Sequence, residues 1–258
     1  MLPADFYTGI VAELYGPLKS VAQDPEPYAA FVQEAGSPAL ELGCGDGDPL
    51  LDLRRRGLDV EGVDSSADML ERCRRRARKQ GVDVVVYHQR MEALDLPRRY
   101  RAIFLAGPTF NLLPDDSTAL AALHRIRNHL AVGGTALVPL FVPSPTPAER
   151  IGRVRTATAD DGAELRVSVL SEERSDSART QTTVLRYERY RDGESTIVDR
   201  PWVLHWYTRS GFESLAAAAG LIAVSVLETP GASDLQFQLQ AAALEGDADA
   251  TGESSQAG

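Results

Sequence analysis

Apolar and polar positions follow two different rhythms along this chain, and the change between them divides it. Near the start, Phe6, Ile10, Val11, Leu14 and Leu18 recur at close to helical spacing, which predicts helix over the first ~35 residues until Pro25 and Pro27 interrupt it. From Ala39 short apolar runs alternate with longer amphipathic ones. Strands are predicted at 39–42, 60–63, 82–87, 102–105 and 136–141. Between them fall helices from Pro49 to Gly57, from Ser65 to Gln80 with Gly81 as its stop, and over 120–130. Proline in a first helical turn and glycine past the last one suit the unpaired ends of a helix. Ser65 followed three residues later by Asp68 has the form of a capping box. Asp115 or Asp116 can cap the helix that Gly133-Gly134 closes. Such alternation builds βαβ units, so the expected fold class is α/β, a Rossmann-like seven-stranded mostly parallel sheet with helices on both faces.

After Pro143, Pro145 and Pro147 the rhythm changes. Runs at 164–170, 180–190 and 196–206 are β-rich, and Asp192-Gly193 is a hairpin turn signal. These predict an antiparallel β meander inserted after strand five. A helix over 212–219 ends at Gly220, and strands at 222–227 and 235–241 around Pro230-Gly231 form a closing hairpin. The expected division is an N-terminal helical cap (1–35), a Rossmann-like core (36–148 and 208–244) and a β insertion on the substrate side (149–207). An acidic Ser/Gly-rich tail (245–258) is expected to be disordered.

Composition narrows the choice of function. A chain of 258 residues suits one α/β domain with an appendage. No apolar run approaches the roughly 20 residues that span a bilayer and no signal segment opens the chain, so a cytoplasmic protein with no membrane partner is expected. Two cysteines and four scattered histidines give neither a disulfide framework nor a metal site. A formal charge of −10 weighs against nucleic acid as a partner. The basic run from Arg72 to Lys79 reads as a solvated helix face. A homodimer through the β insertion is one expected assembly.

Candidate chemistry concentrates at Glu41-Leu42-Gly43-Cys44-Gly45-Asp46-Gly47. Glycines at the end of a strand let the chain turn sharply and let a ligand approach the main chain. Asp64, at the end of the second strand, is placed to accept both hydroxyls of a ribose, which favours an adenosine-containing ligand. A dinucleotide fingerprint would need glycine where Asp48 stands. Glu41, Asp46 and Asp48 would repel a pyrophosphate, but they suit a ligand with a sulfonium and an amino group. The charges therefore select S-adenosylmethionine over NAD.

Over 39–140 the chain resembles the class I S-adenosylmethionine-dependent methyltransferases, in particular the actinobacterial small-molecule branch with sugar N,N-dimethyltransferases. Residues 41–47 match the first motif of that family, and Val63-Asp64-Ser65-Ser66 with Met69-Leu70 match its second. Met91-Glu92 with Leu94 lie where the family places its adenine pocket, and His129-Leu130 with Gly133-Gly134 match the turn before strand five. The resemblance implies that Gly43 and Gly45 hold the methionine part through main-chain atoms, with Cys44 and Glu41 beside them. It puts Asp64 and Ser65 at the ribose, Met69 against the adenosine, Met91 at the adenine and Ala106-Gly107 along the channel near the sulfonium. Tyr15 or Tyr7 would cap the cofactor. Two positions depart from the family: Arg90, where a carboxylate often meets the adenine amino group, and Arg101 at the start of strand four. Glu92 is the substitute for the first.

Methyl transfer is an in-line displacement that requires alignment, exclusion of water and in some cases proton removal. On the acceptor side, Phe110 offers a wall and Asn111 a hydrogen-bonding group. Trp202, His205, Trp206 and Tyr207 form an aromatic strand, with His205 and Tyr207 on one face. His205, Tyr207 and Asn111 are the candidate catalytic residues, and sheet packing is the alternative for each. The expected activity is S-adenosylmethionine-dependent methylation of an amine or hydroxyl on a small molecule, or of a peptide terminus. A non-catalytic S-adenosylmethionine-binding protein and an NAD-dependent oxidoreductase are the alternatives.

Overall fold

Strand β1 (Ala39–Leu42) is buried at all four positions, which requires a partner on each edge and a layer on each face. It lies between β2 (Val60–Asp64) and β4 (Tyr100–Leu105), parallel to both, with Leu42 opposite Val63 and Leu105. Strand β3 (Val86–His88) extends the sheet beyond β2, and β5 (Leu130–Phe141) extends it beyond β4. The antiparallel pair β10 (Leu221–Glu228) and β11 (Asp234–Ala241) completes seven strands in the order β10-β11-β5-β4-β1-β2-β3. This is the mostly parallel Rossmann-like sheet that the alternation predicts. The computed structural model describes residues 6–19, 23–107, 109–228 and 234–243. Pro108, the Pro230-Gly231 turn and the acidic tail lie outside them. Among the described residues no helix is long and apolar enough to cross a membrane.

Alternate side chains of the strands serve opposite layers. Leu40, Leu42, Ile103 and Leu105 pack with Leu123 of α5 (Asp116–His129) and Phe212 of α6 (Arg209–Ala218). Ala39, Val60, Ala102 and Phe104 pack with α2 (Glu26–Ala35), α3 (Leu50–Arg55) and α4 (Ala67–Gln80). Tyr28 of α2 stacks on Phe104 with ring centroids 5.5 Å apart.

The meander is a second, antiparallel sheet of β6 (Arg155–Thr158), β7 (Glu164–Ser175), β8 (Thr180–Arg191) and β9 (Glu194–His205). Asp192 and Gly193 both take positive φ, 49° and 85°, as a tight hairpin turn requires. Helix α1 (Ile10–Leu18) covers this sheet, with Val11 and Leu14 packed among Leu165, Val167 and Tyr187. The N-terminal helices therefore do different work: α2 belongs to the core, and α1 closes the insertion.

Several boundaries differ from the sequence expectation for physical reasons. Pro25 and Pro27 do not interrupt helix; they start α2, because the first turn needs no donor from them. The strand expected at 82–87 pairs only from Val86, where Gly62–Asp64 of β2 lie alongside. The cap of α4 is Ser66 rather than Ser65, its hydroxyl accepting from Met69 N at 3.1 Å. Asp115 caps α5 by accepting from Thr118 N at 2.8 Å. Strand β5 begins directly after α5, and the Gly133-Gly134 pair falls where its pairing with β4 skips from Leu130 to Thr135; a Cβ on Gly134 would lie 2.9 Å from Tyr100 O. Strand β6 escaped the sequence because Arg-Thr-Ala-Thr carries no apolar alternation.

Candidate active site

On leaving β1 the chain turns so tightly that the amides of Gly43 and Cys44 both donate to Val63 O, at 2.7 and 2.9 Å. Gly43 (φ 75°) and Gly45 (φ 53°) occupy the left-handed region that favours glycine. A Cβ on Gly43 would also collide with Thr109 Cγ2, so Thr109, at the start of the helical turn that follows β4, is seated directly against this turn. Asp64, at the end of β2, holds the turn in place. Its Oδ2 accepts from Gly45 N and its Oδ1 from Ser66 N, both at 2.8 Å, so one carboxylate joins the glycine turn to the start of α4. The chain runs outward from β1 to β2 and β3, then crosses back from β3 to β4 on the other side of β1, and a crevice opens at such a switch point.

A cavity occupies that crevice. Gly43, Cys44, Gly45, Asp64, Ser65 and Met69 line one part of it. Met91, Glu92, Ala106 and Tyr15 line the rest of what the sequence singled out. Glu41 stands behind the turn, fully buried, with neither carboxylate oxygen hydrogen-bonded. Gly107 also lies outside the lining and donates from its amide to Tyr28 Oη at 3.0 Å. Tyr7 joins Tyr15 in the wall, their rings edge to face at 5.5 Å. Sequence reasoning did not assign Gln23, Gln89 or Thr109, isolated polar residues that also line the cavity. The small-residue segment after β4 was the one available signal for Thr109.

The electrostatics are one-sided. Asp46 pairs with Arg76 at 2.7 Å, and Asp48 with Lys19 at 2.6 Å. Burial pushes the Asp64 carboxyl up, against the amide bonds from Ser66 and Gly45 that favour its charged form. Glu41 is raised well above the usual carboxylate range, first by burial and then by Asp48 and Asp64. Burial, then Asp64 and Glu41, also raise the Cys44 thiol, so it offers no thiolate nucleophile. Tyr15 is pushed up to about 12 by burial and by Asp46 and Asp48. Burial and the neighbouring Tyr15 raise Tyr7 as well, and both phenols stay protonated near neutral pH. Acidic groups outnumber the cations that answer them, a setting that favours a cationic ligand.

His205, Tyr207 and Asn111 meet one another but do not line this cavity. All three are buried, at 3%, 1% and 0% exposure. His205 Nδ1 lies 2.9 Å from Tyr207 Oη, so the two share a face as alternation predicts. Asn111 donates from Nδ2 to Phe141 O at 3.0 Å and His205 O at 2.9 Å, and its Oδ1 accepts from Phe141 N. Its amide is committed to main chain and fastens the ends of β5 and β9 together. Phe110 packs against Tyr207 and Phe212. Burial, then Arg179, lowers the His205 imidazole below its usual value, against Asp116 and Asp115. A histidine held neutral by the fold contributes fully above its unfolded pKa, and that stability is lost as pH falls below about 6.5. His205→Gln is therefore expected to lose less melting temperature than the parent between about pH 6.5 and 5. Equal slopes in calorimetric scans would show that the ring is not held neutral.

Comparison with known proteins agrees with this geometry. A family described as a methyltransferase domain matches residues 39–134. A dTDP-3-amino-3,6-dideoxy-alpha-D-glucopyranose N,N-dimethyltransferase of Streptomyces fradiae is 30% identical over 229 residues, covering 85% of this chain and 86% of the relative. Among solved structures, the CcbJ methyltransferase from Streptomyces caelestis superposes with a TM-score of 0.74 at 23% identity, covering 93% of this chain and 99% of that one. The S-adenosylmethionine-bound CalS10, an amino pentose methyltransferase from Micromonospora echinaspora, superposes with a TM-score of 0.64 at 21% identity, covering 90% and 97%. These structural likenesses concern the fold, whereas the Streptomyces fradiae relative matches in sequence through most of both chains. The acid-lined crevice at the end of β1 also disposes of the dinucleotide alternative, and the chain belongs to the class I S-adenosylmethionine-dependent methyltransferases.

Proposed function

We propose that this methyltransferase acts on an amino group of a small sugar. The observation that carries the choice of amine over hydroxyl is that three of the lining carboxylates are already engaged, Asp46 by Arg76, Asp48 by Lys19 and Asp64 by the amides of Gly45 and Ser66, which leaves no histidine or free phenolate among the described lining residues to take a hydroxyl proton. No histidine lines the cavity, and Tyr7 and Tyr15 are held as protonated phenols. A hydroxyl must be relieved of its proton to attack well, whereas a neutral amine attacks with its lone pair and sheds a proton afterwards. The relative from Streptomyces fradiae, named as an N,N-dimethyltransferase of an amino sugar, supports the same choice.

The residues present fit the cofactor. Glycine at 43 and 45 leaves the turn bare, and the surrounding carboxylates suit a molecule with a sulfonium and an ammonium group. In this proposal the main chain of Gly43, Cys44 and Gly45 holds the methionine part, with Glu41 buried behind the turn. Asp64 takes the ribose hydroxyls beside Ser65, and Met69 flanks the adenosine. Met91 lies on the adenine with Glu92 near its amino group, while Ala106 borders the channel. Tyr7 and Tyr15 close the site against water. The bound cofactor supplies a methyl group on a positively charged sulfur; the protein aligns the amine behind that carbon. His205, Tyr207 and Asn111 act as positioning residues that hold the insertion (149–207) to the core (36–148 and 208–244), with α1 covering the insertion. The setting proposed is cytoplasmic, with a small-molecule acceptor rather than nucleic acid.

Amino sugars and their hydroxyl counterparts, each incubated with S-adenosylmethionine, separate these readings. A gain of ~14 Da per methyl on the amine-bearing members alone is expected. Methylation confined to the hydroxyl counterparts would overturn the choice of amine.

A further inference from the structure

Thr109 opens the helical turn Thr109–Leu112 that follows β4, and its side chain lines the cofactor cavity. The next two side chains of the turn do not. Phe110 is fully buried against Tyr207 and Phe212, and Asn111, also fully buried, spends its amide on the main chain of Phe141 and His205. The turn is therefore anchored to the core and to the end of β9, and Thr109 is presented from a rigid support.

Each group of Thr109 has its own direction. The amide donates to Gly107 O at 2.9 Å, the hydroxyl donates to Ala106 O at 3.2 Å, and the methyl Cγ2 is seated on Gly43. With its proton given to a carbonyl, Oγ1 has only lone pairs left to offer. Among the described residues no donor reaches it. A group in the cavity that meets Oγ1 must therefore bring the hydrogen.

The strand order β4-β1-β2-β3 sets where along the cavity this oxygen stands. Gln89, Met91 and Glu92 follow β3, Asp64 and Ser65 lie at the end of β2, Gly43 and Gly45 follow β1, and Ala106 and Thr109 follow β4. The adenosine contacts proposed for Asp64, Met69 and Met91 lie toward the β2–β3 end. Thr109 stands at the opposite end, beside Ala106 and the turn that receives the methionine part, where a methyl acceptor has to approach.

We propose that Thr109 Oγ1 binds the acceptor itself: it accepts an N–H from the amine that takes the methyl group, and so turns the nitrogen lone pair toward the methyl carbon. The assignment rests on the reading of the acceptor as an amine. As the lone pair forms the N–C bond, the C–S electron pair returns to sulfur and positive charge passes to nitrogen. The N–H···Oγ1 bond strengthens with that charge, so it contributes more in the transition state than before it. Oγ1 takes no proton; the ammonium that forms releases one to water.

Two variants separate the oxygen from the methyl. Thr109→Val keeps the shape seated on Gly43 and removes Oγ1, whereas Thr109→Ser keeps the oxygen and removes Cγ2. Parent and variants are titrated calorimetrically with S-adenosylhomocysteine, melted, and assayed at saturating S-adenosylmethionine with the amino sugar that gains a methyl in the acceptor panel. For Thr109→Val, kcat is expected to fall about tenfold or more while S-adenosylhomocysteine affinity and melting temperature stay near those of the parent. Thr109→Ser is expected to keep kcat within about threefold. An unchanged kcat in Thr109→Val overturns the proposal, and so does a slower Thr109→Ser, which would assign the residue to packing. A fall in S-adenosylhomocysteine affinity that matches the fall in kcat overturns it too, since that ligand keeps the ammonium group of the cofactor and Oγ1 would then hold the cofactor. The amine reading fails in a different place: only the hydroxyl counterparts in the panel would gain mass. The same comparison run on such a counterpart still decides whether Oγ1 holds the acceptor.

Discussion

Asp64→Ala is expected to weaken S-adenosylhomocysteine binding by about a hundredfold to a thousandfold. The carboxylate has two duties. Facing the cavity, it is the proposed acceptor for ribose hydroxyls, and a hydrogen bond to a charged group contributes about 1.5–3 kcal/mol, or roughly tenfold to a hundredfold in affinity. Facing the protein, it accepts from Gly45 N and Ser66 N, so its loss also loosens the turn that receives the methionine part. Asp64→Asn separates the duties, because its amide oxygen can still accept from one of these N–H groups while its NH₂ cannot. An intermediate loss is expected for it. Calorimetric titration alongside a thermal melt checks both variants, and an affinity for Asp64→Ala within about threefold of the parent would mean that the ligand binds elsewhere.

Gly43→Ala is the second large effect, and it should appear in stability as well as in binding. The added Cβ collides with Thr109 Cγ2, and the backbone holds φ at 75°. Overpacking costs about 1–3 kcal/mol and the left-handed backbone about 1–2 kcal/mol more, so a loss of about 2–5 kcal/mol is expected in urea unfolding. Removing Thr109 in the pair Gly43→Ala, Thr109→Gly relieves only the collision, leaving the backbone cost. Gly45→Ala makes a useful contrast, since its Cβ would meet only Met69 Cε at 3.4 Å and its effect should be mostly strain. If Gly43→Ala unfolds at the same urea concentration as the parent, Thr109 is not seated on the turn.

The core of the fold was legible because parallel strands buried on both faces read as short apolar runs. Leu40, Leu42, Ile103 and Leu105 belong to such runs, and they form the inner layer. The cavity was legible for a related reason: glycines at the end of β1 and an acid at the end of β2 lie close in sequence to the turns they make, so local spacing predicts their meeting. Gly43, Gly45, Asp64, Met69 and Met91 accordingly line one recess. The insertion was legible through Asp192-Gly193 and its β-rich runs, but β6 was not, because four mostly exposed residues need no apolar pattern to pair.

What the tertiary structure alone decided is where each polar group finds its partner. From the sequence, Asn111 and His205 were free to face an acceptor. In the fold the Asn111 amide is occupied by Phe141 and His205 main chain, and His205 is buried against Tyr207. Local periodicity sets which elements form, since it depends on a few residues in succession. Whether a side chain is satisfied by the protein or left for a ligand depends on groups brought opposite it from distant parts of the chain, as Thr109 is brought to Gly43, and that is settled only when the layers pack.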